Sequence, residues 1–286
     1  MIPTNFDYVR AGSVKEALSL LAAGDGSKVI AGGHSLLPMM RFRLVQAPRL
    51  VDISRLEELR GVQEYKKGVR IGAATTYAEL ARSPLLRERC PVVAEVAAQI
   101  ADIQVRNRGT IGGSLAHADP ASDMPAVMLA LDAEFQLRSK KGGRRTAKAR
   151  GFFQGAFTTA MTEDELFTDI LIGGMGRGAA AYVSFDSAAS GYALAGVCAV
   201  VSRKRSTISE ISVAVTGVAE QAFLAPALER VKDTKCDAAT LAAAATEAVA
   251  GLDIAGDAHA PSDYRRHIAQ VAIVRAVETA YQRAGA

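Results

Sequence analysis

Two short stretches of this chain combine residue types that suit one kind of chemistry. The first is Ala31-Gly32-Gly33-His34-Ser35, which follows the apolar run Val29-Ile30. The second is Thr110-Ile111-Gly112-Gly113-Ser114. Glycine lets a ligand or another backbone approach closely, and consecutive backbone N–H groups in a turn form an anion-binding concavity. A serine or threonine hydroxyl adds a further donor. Either stretch alone reads equally well as a tight turn. Together, with the same flanking chemistry, they suit the two phosphates of a dinucleotide gripped from both sides. Neither is the G-x-G-x-x-G fingerprint that opens a helix, and neither is a phosphate loop ending in Gly-Lys-Ser/Thr.

The second stretch leads into Ala116-His117-Ala118-Asp119-Pro120-Ala121-Ser122-Asp123. Asp123 has two readings: a helix cap ahead of Pro125, or a carboxylate accepting hydrogen bonds from ribose or ribityl hydroxyls. His117 and Asp119 form a candidate acid/base pair, but no nucleophile or metal motif accompanies them. His34 reads as a hydrogen-bonding loop residue. No H-x-x-x-H spacing occurs, and the three cysteines Cys90, Cys198 and Cys236 lack the paired spacing of zinc or iron–sulfur sites. We therefore expect neither a catalytic side chain nor a metal site on this chain.

The elements that must position these stretches follow from periodicity and capping. Ser13-Val14-Lys15-Glu16 is a capping box that opens a helix stopped near Gly24. Strands follow at 28–31 and 50–53, which with the helix predict a small parallel βαβ unit. A strand is expected at 69–73, a capping box at Thr76–Glu79, and a helix at 92–101 opened by Pro91. Residues 102–123 read as loop. A helix at 125–131, a strand at 133–139 entering the turn Lys140–Arg145, and a strand at 165–172 come next. The cluster Gly173-Gly174-Met175-Gly176 marks a boundary. Beyond it lie a β-hairpin (193–202 and 207–218) around Arg203–Arg205 and helices at 228–231 and 238–250. A long helix over 262–283 places Ile268, Val271, Val274 and Val277 along one face. The expected segments are 1–56, 57–176 and 177–286.

Bulk properties narrow the classes. A net charge of +4 over a surface of this size argues against nucleic acid, and the basic runs at 140–145 and 203–205 read as solvated turns. No stretch approaches the roughly 18 apolar residues of a membrane span, and the first residues lack the pattern of a secretory signal. Free thiols suit a reducing compartment. A cytoplasmic location is expected.

The residues 31–44 (AGGHSLLPMMRFRL), 51–54 (VDIS) and 105–126 (VRNRGTIGGSLAHADPASDMPA) resemble the FAD-binding medium subunits of molybdenum hydroxylases, above all the aerobic carbon monoxide dehydrogenase branch. The resemblance extends over essentially the whole chain. It implies an α+β FAD-binding fold of the vanillyl-alcohol-oxidase (PCMH) type in two α/β subdomains, then an antiparallel sheet packed on helices. It implies that Ala31, Gly32, Gly33, His34 and Ser35, with Thr110, Ile111, Gly112, Gly113 and Ser114, wrap the FAD pyrophosphate. Asp123 matches an aspartate that contacts FAD, and Tyr192 a tyrosine near the flavin ring.

The resemblance also implies partners. A large subunit would carry the molybdenum cofactor and a small subunit two [2Fe–2S] clusters, in a dimer of heterotrimers that passes electrons through FAD to a terminal acceptor. Association with the inner face of the membrane is compatible with such an assembly. One departure is the stretch Ser184–Ala193, where Gly191 replaces an acidic residue and the basic run of many relatives is missing. Fewer cations near a flavin would lower its potential. An alternative on the same fold is a stand-alone flavin oxidase or reductase, in which the histidine of Gly-Gly-His bonds covalently to flavin.

Overall fold

In the computed structural model, residues 2–176 and 178–285 are described. Met1, Arg177 and Ala286, at the ends of expected segments, lie outside them. The chain starts as β1 (Asp7–Arg10), α1 (Val14–Leu21), β2 (Lys28–Ile30), α2 (Leu36–Arg41) and β3 (Arg49–Asp52). The three strands form a parallel sheet in the order β1-β3-β2. Ser13 caps α1 by accepting from Glu16 N at 3.1 Å. The return arm of the predicted box goes elsewhere, because the Glu16 carboxylate accepts from Gly12 N at 2.8 Å. Val14, Ala17, Leu18 and Leu21 bury the inner face of α1 against Val51 and Ile53.

A single 3₁₀ turn, Glu57–Leu59, leads to β4 (Val62–Tyr65) and β5 (Gly68–Gly72). Six helices follow: α3 (Tyr77–Arg82), α4 (Pro84–Arg89), α5 (Pro91–Gln99), α6 (Ile103–Arg108), α7 (Ile111–His117) and α8 (Asp123–Ala130). The strands β6 (Glu134–Ser139), β7 (Gly143–Lys148), β8 (Phe153–Gly155), β9 (Thr158–Thr159) and β10 (Leu166–Ile172) complete this part. An antiparallel sheet runs β4-β5-β10-β6-β7. Its inner residues Val69, Ile71, Phe135, Leu137, Ile170 and Ile172 pack on α3, α5, α7 and α8. The Thr76 box forms with both arms. The expected loop at 102–123 contains α6 and α7: Asp102 caps the first through Gln104 N and Val105 N, and Thr110 caps the second through Gly113 N.

The last part is an antiparallel meander, β11 (Gly178–Asp186), β12 (Ala193–Lys204), β13 (Thr207–Thr216) and β14 (Phe223–Leu224). Its layer of helices comprises α9 (Ala238–Ala248) and α10 (Ser262–Arg283), with a 3₁₀ turn at Pro226–Val231 where a helix was expected. The buried side of α10 is Ile268, Ala269, Ala272, Ile273, Ala276, Val277 and Ala280. Val271 and Val274 are only half-buried. Alanines let the helix sit close to strands that are themselves rich in alanine, so the larger valines end up at its edge.

The meander is fastened to the preceding part by polar contacts. Thr216, fully buried, places its hydroxyl 2.8 Å from Pro120 O and 2.9 Å from Ser122 O, and Gly217 N donates to Pro120 O. On the other side, buried Arg265 donates to Leu194 O and Gly217 O, both at 3.1 Å, and pairs with Asp257. Replacing Arg265 with methionine keeps the stem but leaves two carbonyls without their charged donor. Arg265→Met should therefore lose about 2–4 kcal/mol of stability, measured as a fall in the urea midpoint; an unchanged midpoint would show that this tie contributes nothing.

Candidate functional site

A cavity of ≈ 650 Å³ lies where the three parts meet, within the usual range for small-molecule and cofactor sites. One wall is the turn after β2. Here the backbone N–H groups of Ala31, Gly32, Gly33, His34 and Ser35 donate to no group among the described residues. Peptide N–H groups are obligatory donors that structures rarely leave idle. Five in succession, on residues that line the cavity wall, are the raw material of an anion-binding nest. His34 turns its Nδ1 to Gly32 O at 3.0 Å, so its ring braces the turn.

Gly32 and Gly33 serve this turn differently. A Cβ on Gly32 would overlap the Arg108 carbonyl and stand 2.9 Å from Gly109 Cα. The glycine thus allows the first wall to touch the backbone that leads into the second. Gly33 has φ +76°, and a Cβ there would meet Leu37 at 3.0 Å and Ile30 at 3.5 Å. Its glycine is required by the backbone conformation.

The opposite wall is the first turn of α7, and its amides are committed. Ile111 N donates to Thr75 O at 3.1 Å and Gly112 N to Ala73 O at 2.9 Å. Gly113 N donates to Thr110 Oγ1 and Ser114 N to Thr110 O. A Cβ on Gly112 would overlap Ala73, so this glycine seats the helix flush against the end of β5. The second Gly-Gly is therefore a packing device, and the matched pair of amide nests read from the sequence becomes one nest facing one capped helix. Thr110, Gly112, Gly113 and Ser114 line the cavity; Ile111 does not, being wholly buried in the core.

Asp123 is the first residue of α8, with Ser122 at the cap position making no side-chain cap bond. Its carboxylate lines the cavity, and its Oδ1 accepts from Tyr182 Oη at 2.5 Å. Burial pushes its pKa up to about 6, with Tyr182 opposing and Asp186 adding to the rise. Ser114 Oγ and Ser122 Oγ lie 2.7 Å apart beside it. Asp119 accepts from Ala121 N to close its own turn, while His117 packs on Phe157 with ring centres 5.0 Å apart. No hydrogen bond joins His117 to Asp119, so the geometry does not build an acid/base pair.

Tyr192 closes the mouth from the third part, on a turn fastened by Ser187 N to Tyr192 O at 2.8 Å. Gly191 sits in this turn at φ +71°, which explains a glycine there. Asp119, read as half of an acid/base pair, lines the cavity, and sequence reasoning missed Tyr77, Ser122, Glu165 and Ser190 on its wall. Tyr77 and Glu165 looked like a helix start and a strand start, and nothing local marked them. Lys28 is the sole lysine or arginine among the described residues lining the cavity. An anion here is met by backbone dipoles far more than by cations. Among the described residues no group of three or more His, Cys, Asp or Glu could hold a metal ion, and no helix is long and apolar enough to cross a membrane.

The raised pKa of Asp123 has a defined sign for stability. A carboxyl that holds its proton more tightly when folded contributes stability below its unfolded pKa, and that contribution is lost as pH rises through the folded value. In the ligand-free protein, Asp123→Asn should gain about 2–3 kcal/mol relative to the parent between pH 4 and 7, followed by urea melts across that range. A constant difference would mean that Asp123 titrates normally.

Comparison with known proteins agrees with this architecture. Residues 4–172 match the family described as the FAD binding domain in molybdopterin dehydrogenase, and residues 180–280 the CO dehydrogenase flavoprotein C-terminal domain. The chain is 41% identical to the carbon monoxide dehydrogenase medium chain of Hydrogenophaga pseudoflava, with 99% of each covered. It is 36% identical to the glyceraldehyde dehydrogenase medium chain of Sulfolobus acidocaldarius, covering 96% of this chain and 98% of that one. A solved chain of the Hydrogenophaga pseudoflava carbon monoxide dehydrogenase that lacks the Mo-pyranopterin moiety superposes with TM-score 0.95 at 40% identity, with 99% of both chains covered. On this evidence the chain is a flavoprotein subunit belonging to the FAD-binding family of the molybdopterin dehydrogenases.

Proposed function

We propose that the cavity holds FAD with its pyrophosphate on the free amides of residues 31–35, and that the chain carries electrons between partner subunits and a terminal acceptor. The observation that supports this most is the row of five N–H groups, without an acceptor among the described residues, on residues that line the cavity. FAD, when bound, can take electrons singly and give up two, which joins one-electron donors to a two-electron acceptor. The protein's part is to bind and orient. Residues 31–35 neutralise the phosphates through dipoles, Gly32 keeps the walls in contact, and Ser114 and Asp123 receive the sugar-alcohol chain. Tyr192 closes the site at the flavin end. Ile111 acts only by holding α7 in place.

The relatives named above are medium chains of dehydrogenases that differ in substrate. This supports placing substrate oxidation on another chain. We propose a large subunit with the molybdenum cofactor and a small subunit with two [2Fe–2S] clusters, in a dimer of heterotrimers in the cytoplasm. Within this chain we propose functional units at 1–56, 57–176 and 177–286.

Gly32→Ala tests the nest. The added methyl must push the first wall off the Arg108 carbonyl. Flavin per purified chain should fall about tenfold or more, with circular dichroism and melting temperature used to confirm folding. A folded variant with its full complement of flavin would contradict the proposal. Flavin that stays attached after denaturation of the parent protein would favour a covalent bond to His34 and a stand-alone oxidase.

A further inference from the structure

Tyr182 is outside the cavity, yet it makes the one side-chain hydrogen bond that the Asp123 carboxylate receives among the described residues. It projects from β11, in the third part of the chain, to the first turn of α8. Resting on the proposal that Asp123 receives FAD hydroxyls, we infer that Tyr182 is a positioning residue. It occupies Asp123 Oδ1, so that the remaining oxygen, Oδ2, is presented to the cofactor in one orientation.

Three further observations support this role. Gly196 sits in the interior of β12, and a Cβ there would overlap the Tyr182 hydroxyl. Glycine inside a strand weakens it and marks a close approach; here what approaches is that hydroxyl. The backbone just ahead of Asp123 is held by the same sheet, through Thr216 to Pro120 O and Ser122 O. Side chain and backbone of the carboxylate are thus fixed from one side by one rigid element. Finally, among the described residues Asp123 is the only acceptor of the Tyr182 hydroxyl, so a phenylalanine would satisfy the packing and fail only in this bond.

The groups that face Asp123 are Tyr182 and Asp186 of β11, Tyr77 of α3, and Tyr192 of the closing turn. Of these, Tyr182 is the one whose hydrogen bond favours the ionised carboxylate, against burial and Asp186. Removing it raises the pH at which Asp123 can accept two hydroxyls at once.

The test uses the full chain, with any chains that co-purify, stripped of flavin and titrated with FAD by fluorescence between about pH 5 and 8. Tyr182→Phe should weaken FAD binding about tenfold near neutrality and move the pH of half-maximal affinity up by about one unit. Gly196→Ala, which displaces the hydroxyl without removing it, should shift the profile the same way. Asp123→Ala should weaken binding at every pH and flatten the profile, and adding Tyr182→Phe to it should change nothing more. The inference alone is overturned if Tyr182→Phe keeps the parent affinity and profile while Asp123→Ala loses both. If Asp123→Ala itself binds FAD like the parent, the assignment of Asp123 to the cofactor falls, and the role of Tyr182 with it.

Discussion

The close approach of Gly32 to the Arg108–Gly109 backbone is the constraint on which the site depends. A side chain at this point would collide with a carbonyl, so only glycine lets two segments far apart in sequence meet main chain to main chain. Contact here sets the width of the cavity. The following turn lines the cavity, and the amides of residues 31–35 have no acceptor among the described residues. Facing that turn is a helix end whose own donors are tied to Ala73, Thr75 and Thr110. One wall carries amides without acceptors among the described residues; the other is a rigid helix end with two hydroxyls. With Lys28 as the single lysine or arginine on the described wall, oriented peptide dipoles are the main source of positive potential, and they are effective in a partly enclosed site where water screens less.

The FAD-binding part does not complete this site alone. The meander of the third part supplies Ser190 and Tyr192 to the rim. It also holds the Pro120–Asp123 segment through Thr216, Gly217 and Tyr182. Arg265 then locks the opposite side of the same sheet corner by its bonds to Leu194 O and Gly217 O. A small shift of the meander would therefore be felt at Asp123, because packed elements move as units and not as continuous springs. This gives the third part a mechanical reason to exist beside the cavity, in addition to any surface it offers to other chains.

Much of this was legible from residue types alone. The Thr76 capping box, the β5 and β10 strands and the β12–β13 hairpin all read correctly as local features. So did the family, because its motifs combine residues at fixed spacing that few other proteins share. The losses have physical causes. β1 is an edge strand with exposed Asp7, Tyr8 and Arg10, so no apolar alternation announces it. β11 is rich in alanine and glycine, which carry little strand signal. α6 and α7 are six and seven residues long, too short for periodicity to emerge, although their caps Asp102 and Thr110 were in plain sight. Thr110 was read as a phosphate donor because a capping threonine and a ligand threonine look the same in sequence. Whether an amide is free or committed depends on Ala73 and Thr75, some 35 residues away in the chain, and no local pattern encodes that.

A structure of the protein with FAD bound, at a resolution that shows the phosphate oxygens, bears most directly on the central claim. The account places at least two pyrophosphate oxygens within about 3.2 Å of backbone nitrogens in residues 31–35. The amides of Ile111 and Gly112 should meanwhile keep their bonds to Thr75 and Ala73. A pyrophosphate seated on the first turn of α7, with those bonds broken and the 31–35 amides facing water, would contradict it.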